Sequence, residues 1–201
     1  MNDQKRKDRQ TDGALQTLII DTALSLAGEV GWANVTLQKI GRETDLPEQE
    51  VKAIFSSEWN ILEAFRTRTD LQIANRQAPN WSERAPKDRL FEVLMERIDI
   101  IEPWKSGLAS VANYGIEQPI QGLKLFIGLN KSMATMLDYA QIRKGPVGVP
   151  WQAHGLTAIY LLVLRRWFSD DSDDLGPTMA ELNEKLIAAD RFIRRVCSGT
   201  K

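Results

Sequence analysis

The two side chains best suited to nucleophilic or proton-transfer chemistry each occur once: His154 is the single histidine and Cys197 the single cysteine. A cysteine nucleophile needs a base and an orienting group beside it, and a protein metal site needs several ligands. The chain has no Gly-rich phosphate loop, no His-Glu-x-x-His and no nucleophile motif. The paired carboxylates Asp170-Asp171 and Asp173-Asp174 fall in the polar run SDDSDDLGP, where aspartates favour the N-terminal end of a following helix. The sequence therefore predicts no enzyme, no cofactor and no metal site. One cysteine cannot build a disulfide framework within the chain, which fits a reducing, cytoplasmic setting.

The chemistry that remains is contact with a polyanion. Lys5, Arg6 and Lys7 stand in the charged run MNDQKRKDRQ; Thr36, Gln38, Lys39 and Arg42 follow one another in a second short segment, and Gln49 and Lys52 in a third. Cationic and hydroxyl groups bond phosphates, whereas amide side chains read base edges. Three carboxylates stand among them, at Glu48, Glu50 and Glu58. A carboxylate can accept from the cytosine amino group but opposes phosphate contact. Residues 1–68 hold nine basic and eleven acidic side chains, net −2, in a chain of net charge −1. Charge alone thus leaves two readings for these positions: a DNA-binding face or an ordinary solvated helix surface.

Stepping outward, the elements that would hold these residues are helical throughout. Hydrophobic residues make up 43% of the 201 positions and charged ones 26%, which suits a packed core rather than disorder. Residues 1–11 are expected as a flexible charged arm. A first helix over 13–30 has Leu15, Leu18, Ile19, Thr22, Ala23, Leu26 and Ala27 on one stripe. Gly31 then stands where a left-handed cap is wanted. Thr36 caps a short second helix with Leu37 and Ile40 inward. Thr44-Asp45-Leu46 forms a tight turn, Pro47 opens a third helix with Val51, Ile54 and Phe55 inward, and Ser57 caps a fourth.

Three helices with a short turn between the second and third define a helix-turn-helix. The stretch ALSLAGEVGWANVTLQKIGRETDLPEQEVKAIFSSEWNILEAF resembles the N-terminal domain of TetR-family transcriptional regulators. The resemblance is carried by Gly31 with Trp32, Thr36, Ile40 with Gly41, Phe55 and Ser57. It implies an all-α fold of about nine helices and a ligand-responsive repressor that binds double-stranded DNA as a homodimer. On that reading Lys5, Arg6, Lys7, Thr36, Gln38, Lys39, Arg42, Gln49 and Lys52 are the DNA contacts, and the two heads meet successive major grooves about 34 Å apart. The third helix departs from the family pattern: the family usually offers small or basic residues and then tyrosine, with a lysine opening the fourth helix. Here Glu48, Glu50 and Glu58 occupy that region.

The expected organisation is an arm over 1–11, a helix-turn-helix domain over 12–77 and a C-terminal helical domain over 78–201. The boundary lies in the Pro-containing stretch APNWSERAP, residues 78–86, or within the fourth helix just before it. Helices are expected over 87–102, from 103 to about 113, over 119–142, 151–168 and 177–196. The last two helices are expected to form the dimer as a four-helix bundle. The segment from Leu123 to Phe192, with Tyr160, the Ser172-Asp173-Asp174 turn, Thr178 and Leu182, also resembles the C-terminal region of the TetR-like lipid-binding accessory protein of ubiquinone biosynthesis. That resemblance implies the alternative function, a lipid or isoprenoid carrier that does not bind DNA. Trp104, Trp151 and Tyr160, with Asn130 and His154 as the polar part, are the candidate residues for a small apolar ligand, or else part of the core and dimer packing. No stretch reaches the roughly 20 apolar residues of a membrane span, and the polar N-terminus is not a signal peptide.

Overall fold

The computed structural model describes the backbone of residues 2–74, 81–142 and 149–198, and side chains within these apart from residues 2–11, 149, 150, 194 and 196–198. Among the described residues there are nine α-helices and no strand: α1 (Asn2–Val30), α2 (Leu37–Glu43), α3 (Glu48–Ile54), α4 (Glu58–Ala74), α5 (Pro86–Ile101), α6 (Lys105–Glu117), α7 (Pro119–Tyr139), α8 (Val149–Trp167) and α9 (Gly176–Ser198). The all-α expectation holds. Helical backbone begins at Asn2, so residues 2–11, expected as a flexible arm, continue the first helix. The loop expected over 143–150 lies largely outside the described residues.

The helices gather into two compact units, one of residues 1–68 with 103–124 and the other of 69–102 with 125–201. One division falls inside α4, another inside α7 and the third between α5 and α6; α4 is one of the two places expected for a boundary. Within the other, the stretch 78–86, part of the chain is packed. Trp81 is buried in a single 3-10 turn, and its indole Nε1 donates to the Tyr139 carbonyl at 3.0 Å.

In the first unit, α1 buries more than its predicted stripe. Ile19, Ala23, Leu26 and Ala27 are buried as expected, but so are Ile20 and Leu24, while Leu18 is exposed. The added face is packed by α6. A β-carbon at Gly107 would stand 2.2 Å from the Leu24 carbonyl oxygen, and one at Gly28 2.5 Å from the Ser106 hydroxyl. Only a residue without a side chain permits that approach. Where α1 ends, Gly31 has φ 84° and ψ 142°. The positive φ that favours glycine is present, but the ψ lies beyond the left-handed helical region the cap was expected to adopt. The chain turns there into Trp32, which is buried and whose backbone N–H donates to the Ser110 hydroxyl at 2.7 Å.

In the second unit, Leu90, Val93, Leu94, Ile98 and Ile101 of α5, Met133, Met136 and Leu137 of α7, Tyr160, Val163 and Trp167 of α8, and Leu182 and Leu186 of α9 are buried. Two arginines of α5 are buried with them, at 7% and 5% exposure. Arg89 closes the end of α7: its Nε donates to the Ala140 carbonyl at 2.7 Å and Nη2 to the Gln141 carbonyl at 3.2 Å. A cation at a helix C-terminus meets carbonyls that have no partner within the helix. The turn before α9 is organised by Asp170, which accepts from the hydroxyls of Ser172 and Thr178 at 2.5 Å each and from the Thr178 N–H at 2.9 Å. Those bonds, that of Ser172 foremost, hold its carboxyl well below the usual carboxylate range.

Candidate nucleic-acid interface

The helix-turn-helix is built from local chemistry. Thr36 caps α2, its hydroxyl accepting from the Lys39 N–H at 3.2 Å. α2 stops after two turns in a Schellman arrangement: the Leu46 N–H returns to the Gly41 carbonyl at 2.9 Å and the Asp45 N–H to that of Arg42 at 3.5 Å. The left-handed position of that motif belongs to Asp45, with φ 55°, and aspartate is among the few residues that tolerate it. Gly41 is required by the same turn, because a β-carbon there would lie 2.8 Å from the Leu46 carbonyl oxygen. Ile40 and Val51 are fully buried between α2, α3 and their neighbours, which fixes the angle at which α3 leaves the turn.

α3 follows Pro47, whose carbonyl accepts from the Glu50 N–H at 2.9 Å. It buries Val51 and leaves Gln49, Glu50, Lys52 and Ala53 exposed. α4 is capped as expected, the Asn60 N–H bonding the Ser57 hydroxyl at 3.4 Å. Of the residues predicted to meet DNA, Thr36, Gln38, Lys39, Arg42, Gln49 and Lys52 are all exposed on α2, α3 or the residue that opens α2. The side chains of Lys5, Arg6 and Lys7 lie outside the described residues.

The carboxylates do not act alike. Glu48 pairs with Lys52 at 2.6 Å, both being well exposed. Such a surface pair is worth about 1 kcal/mol or less, so a phosphate can replace Glu48 at little cost. Glu58 is half-buried and turns back toward α2, where its Oε1 accepts from the Leu37 N–H at 3.1 Å. It satisfies one of the N–H groups that α2 cannot pair within itself. Glu50 is left as the carboxylate on the outward side of α3. The presented surface is therefore mixed in charge. Sequence reasoning missed the turn of Glu58 toward α2; its signal is the 21-residue separation of two helix starts, which no local pattern displays.

The residues expected to line a ligand site are not all brought together. Trp104 lies in the first unit, half-buried, its ring edge-on to Phe65 at 5.4 Å and under the Arg68 guanidinium at 5.1 Å. Arg68 is held in turn by Asp21 at 2.6 Å. Asn130, Trp151, His154 and Tyr160 lie in the second unit. Trp151 is 73% exposed in one chain. Asn130 is half-buried and donates to the Thr157 hydroxyl at 3.0 Å; His154 is exposed, with Phe126 6.2 Å away ring to ring; Tyr160 is buried. An open groove of about 520 Å³ in the same unit, floored by Phe91, Met95, Leu175 and Met179 and rimmed by five carboxylates, includes none of the four.

No family model matches the sequence, and neither does any curated protein. Solved structures do match. The TetR transcriptional regulator from Nitrosomonas europaea ATCC 19718 superposes with a TM-score of 0.72 at 19% identity, over 88% of this chain and 98% of that one. A TetR transcriptional regulator from Rhodococcus sp. RHA1 superposes at 0.58 and 13% identity, over 90% and 96%. The chain has the TetR fold. At these identities the likeness concerns the course of the backbone, and it extends well beyond the helix-turn-helix to nearly the whole length of both regulators. Within the TetR fold of this chain, α2 and α3 form the head and α8 and α9 the closing helices. Among the described residues no helix is long and apolar enough to cross a membrane.

Proposed function

We propose that this protein is a homodimeric, DNA-binding transcriptional regulator whose activity answers to a small apolar ligand, in the manner of a repressor. The observation that carries the reading is the outward face of α3. In a head tied by the Thr36 cap and the Gly41–Leu46 turn, Gln49, Glu50, Lys52 and Ala53 are exposed while Val51 anchors the helix. That is how a recognition helix offers its side chains to a major groove. Lys39 and Arg42 flank it on α2 as phosphate contacts, and Lys52 joins them by releasing Glu48. Gln49 and Glu50 are the base-reading candidates, since an amide suits adenine and a carboxylate accepts from cytosine.

The dimer reading is supported by apolar side chains on the outer faces of the last two helices. Trp151, Leu161 and Leu162 of α8 and Phe192 and Ile193 of α9 are between 43% and 73% exposed in one chain. Large exposed apolar side chains on both helices favour an interaction site, and a two-fold axis would cover both helices at once.

Selection of bound sequences from random duplex DNA, at low and moderate salt, tests the function. The expected result is an enriched, two-fold-related sequence whose binding weakens steeply with salt. No enrichment and no salt-dependent binding would remove the regulator reading and leave the carrier of lipids or isoprenoids on the same fold.

A further inference from the structure

Two rows of side chains run side by side along α5. Phe91 and Met95, one turn apart, are half-buried, and next to them Glu92, Glu96 and Asp99 follow at steps of four and three. Like charges one turn apart on a helix repel and weaken it, so the stability of α5 does not account for the acidic row. The polar turn ahead of α9 and the first turn of α9 close the other side of the open groove of about 520 Å³: Leu175 and Met179 complete its floor, Asp173 and Asp174 its rim. The whole groove belongs to the second unit. Arg84 pairs with Glu92, both well exposed, and a pair so placed holds little. Asp174 also accepts from the Gly176 N–H at 3.0 Å. Among the described residues, no three histidines, cysteines or carboxylates converge closely enough to hold a metal ion. The carboxylates surround an apolar surface instead of meeting at a point.

We propose that this groove binds an organic ammonium ion carried on an apolar body. The floor and the rim are independent observations, and each restricts the occupant. A floor of Phe91, Met95, Leu175 and Met179 takes an apolar body, and its volume falls in the range of roughly 300–1,000 Å³ usual for small-ligand sites. Methionine side chains adapt to different shapes, and an aromatic ring attracts an organic cation. The rim sets the sign of the charge. Carboxylates on both sides repel an anion and offer a neutral molecule no advantage, whereas an inorganic cation would leave the apolar floor uncovered. None of the side chains assigned above to DNA or to the dimer lines the groove, so one chain carries the whole site. The inference rests on the ligand-responsive reading above and gives that apolar ligand a positively charged end.

The test uses the full chain without DNA and titrates it calorimetrically with decyltrimethylammonium, 1-decanol, decanoate and tetramethylammonium, each below its micelle concentration. Decyltrimethylammonium is expected to bind about ten times more tightly than any of the others, through several exposed charge contacts together, and to weaken as sodium chloride is raised. Glu96→Gln on α5 and Asp173→Asn on the facing turn are each expected to weaken it about threefold, the usual worth of one exposed charge contact, and to leave 1-decanol unchanged. Met95→Lys sets an ammonium group among the carboxylates and is expected to abolish binding while the circular dichroism spectrum stays that of the wild type. Equal affinity for the ammonium and the alcohol, tighter binding of decanoate, equal binding of tetramethylammonium, no binding of decyltrimethylammonium, or an affinity untouched by Glu96→Gln and Asp173→Asn together would each overturn the proposal. None of these titrations involves DNA, so the ligand chemistry can fail while the regulator reading stands.

Discussion

Replacing Gly41 by alanine puts the helix-turn-helix geometry to a quantitative test. In an ordinary helix interior the change stabilises by about 1 kcal/mol, because alanine loses less chain entropy than glycine on folding. At Gly41 the new β-carbon would stand 2.8 Å from the Leu46 carbonyl oxygen, roughly 0.6 Å inside ordinary contact distance for such atoms. The obstacle is backbone, and it belongs to the turn whose Leu46 N–H is bonded to Gly41 itself at 2.9 Å. Relieving the overlap stretches that bond and shifts the start of α3. Forced overpacking of this size costs about 2–3 kcal/mol, which exceeds the propensity gain. The expected net result is a loss of about 1–2 kcal/mol in urea unfolding. Gly13→Ala is the control: nothing stands within 4 Å of a β-carbon there, so the same substitution on α1 should stabilise by about 0.5–1 kcal/mol. If Gly41→Ala proves neutral or stabilising like the control, the close approach of α2 to the turn is refuted.

Other expectations concern the second unit. The Asp170 carboxyl is held low by Ser172 and Thr178, so its contribution is complete above the unfolded-state pKa of about 3.9 and is lost as pH falls below it. Acid unfolding followed by circular dichroism should therefore begin in that range, and Asp170→Asn should lower stability at pH 7 and flatten the acid limb; an unchanged limb would contradict the cap. Phe192→Asp, at a position 68% exposed in one chain, should leave the helical content intact and shift the sedimentation profile from dimer to monomer. A dimer of undiminished strength would place the interface elsewhere.

What the sequence disclosed was chiefly local. The Thr36 and Ser57 caps, the length of α2 and the inward set Leu37, Ile40 and Val51 all follow from contacts within a few residues, and they are found as expected. Leu90, Leu94, Ile98 and Ile101 of α5 recur at helical spacing and are buried, whereas Phe91 and Met95, expected on the same face, are half-buried at the open groove. What escaped was long-range. Ile20 and Leu24 lie off the predicted stripe of α1, and both are buried, with α6 approaching Leu24 closely at Gly107. No local pattern marks Arg89 and Arg97 as buried, because their partners, the Ala140 carbonyl and Asp70, arrive from 51 and 27 residues away. Trp151, expected in core and dimer packing or at a ligand, is 73% exposed in one chain.

The candidate site divides in the same way. Which side chains face out on α2 and α3 was legible, since an amphipathic helix declares its outer face. The disposition of the carboxylates was not. Glu48 and Lys52 are one turn apart and pair, while Glu58 serves the N-terminus of a helix that precedes it by a whole helix-turn-helix. Counting charge over residues 1–68 treats these groups as equivalent, whereas their partners make them different.

The claim that α3 meets a duplex is tested most directly by the salt dependence of binding to a selected sequence, measured for the wild type and for Lys52→Glu. If Lys52 contacts a phosphate in each half-site, the variant should bind more weakly on every sequence, and the slope of log affinity against log salt should fall by about two for the dimer. A variant with unchanged affinity and slope would contradict the account.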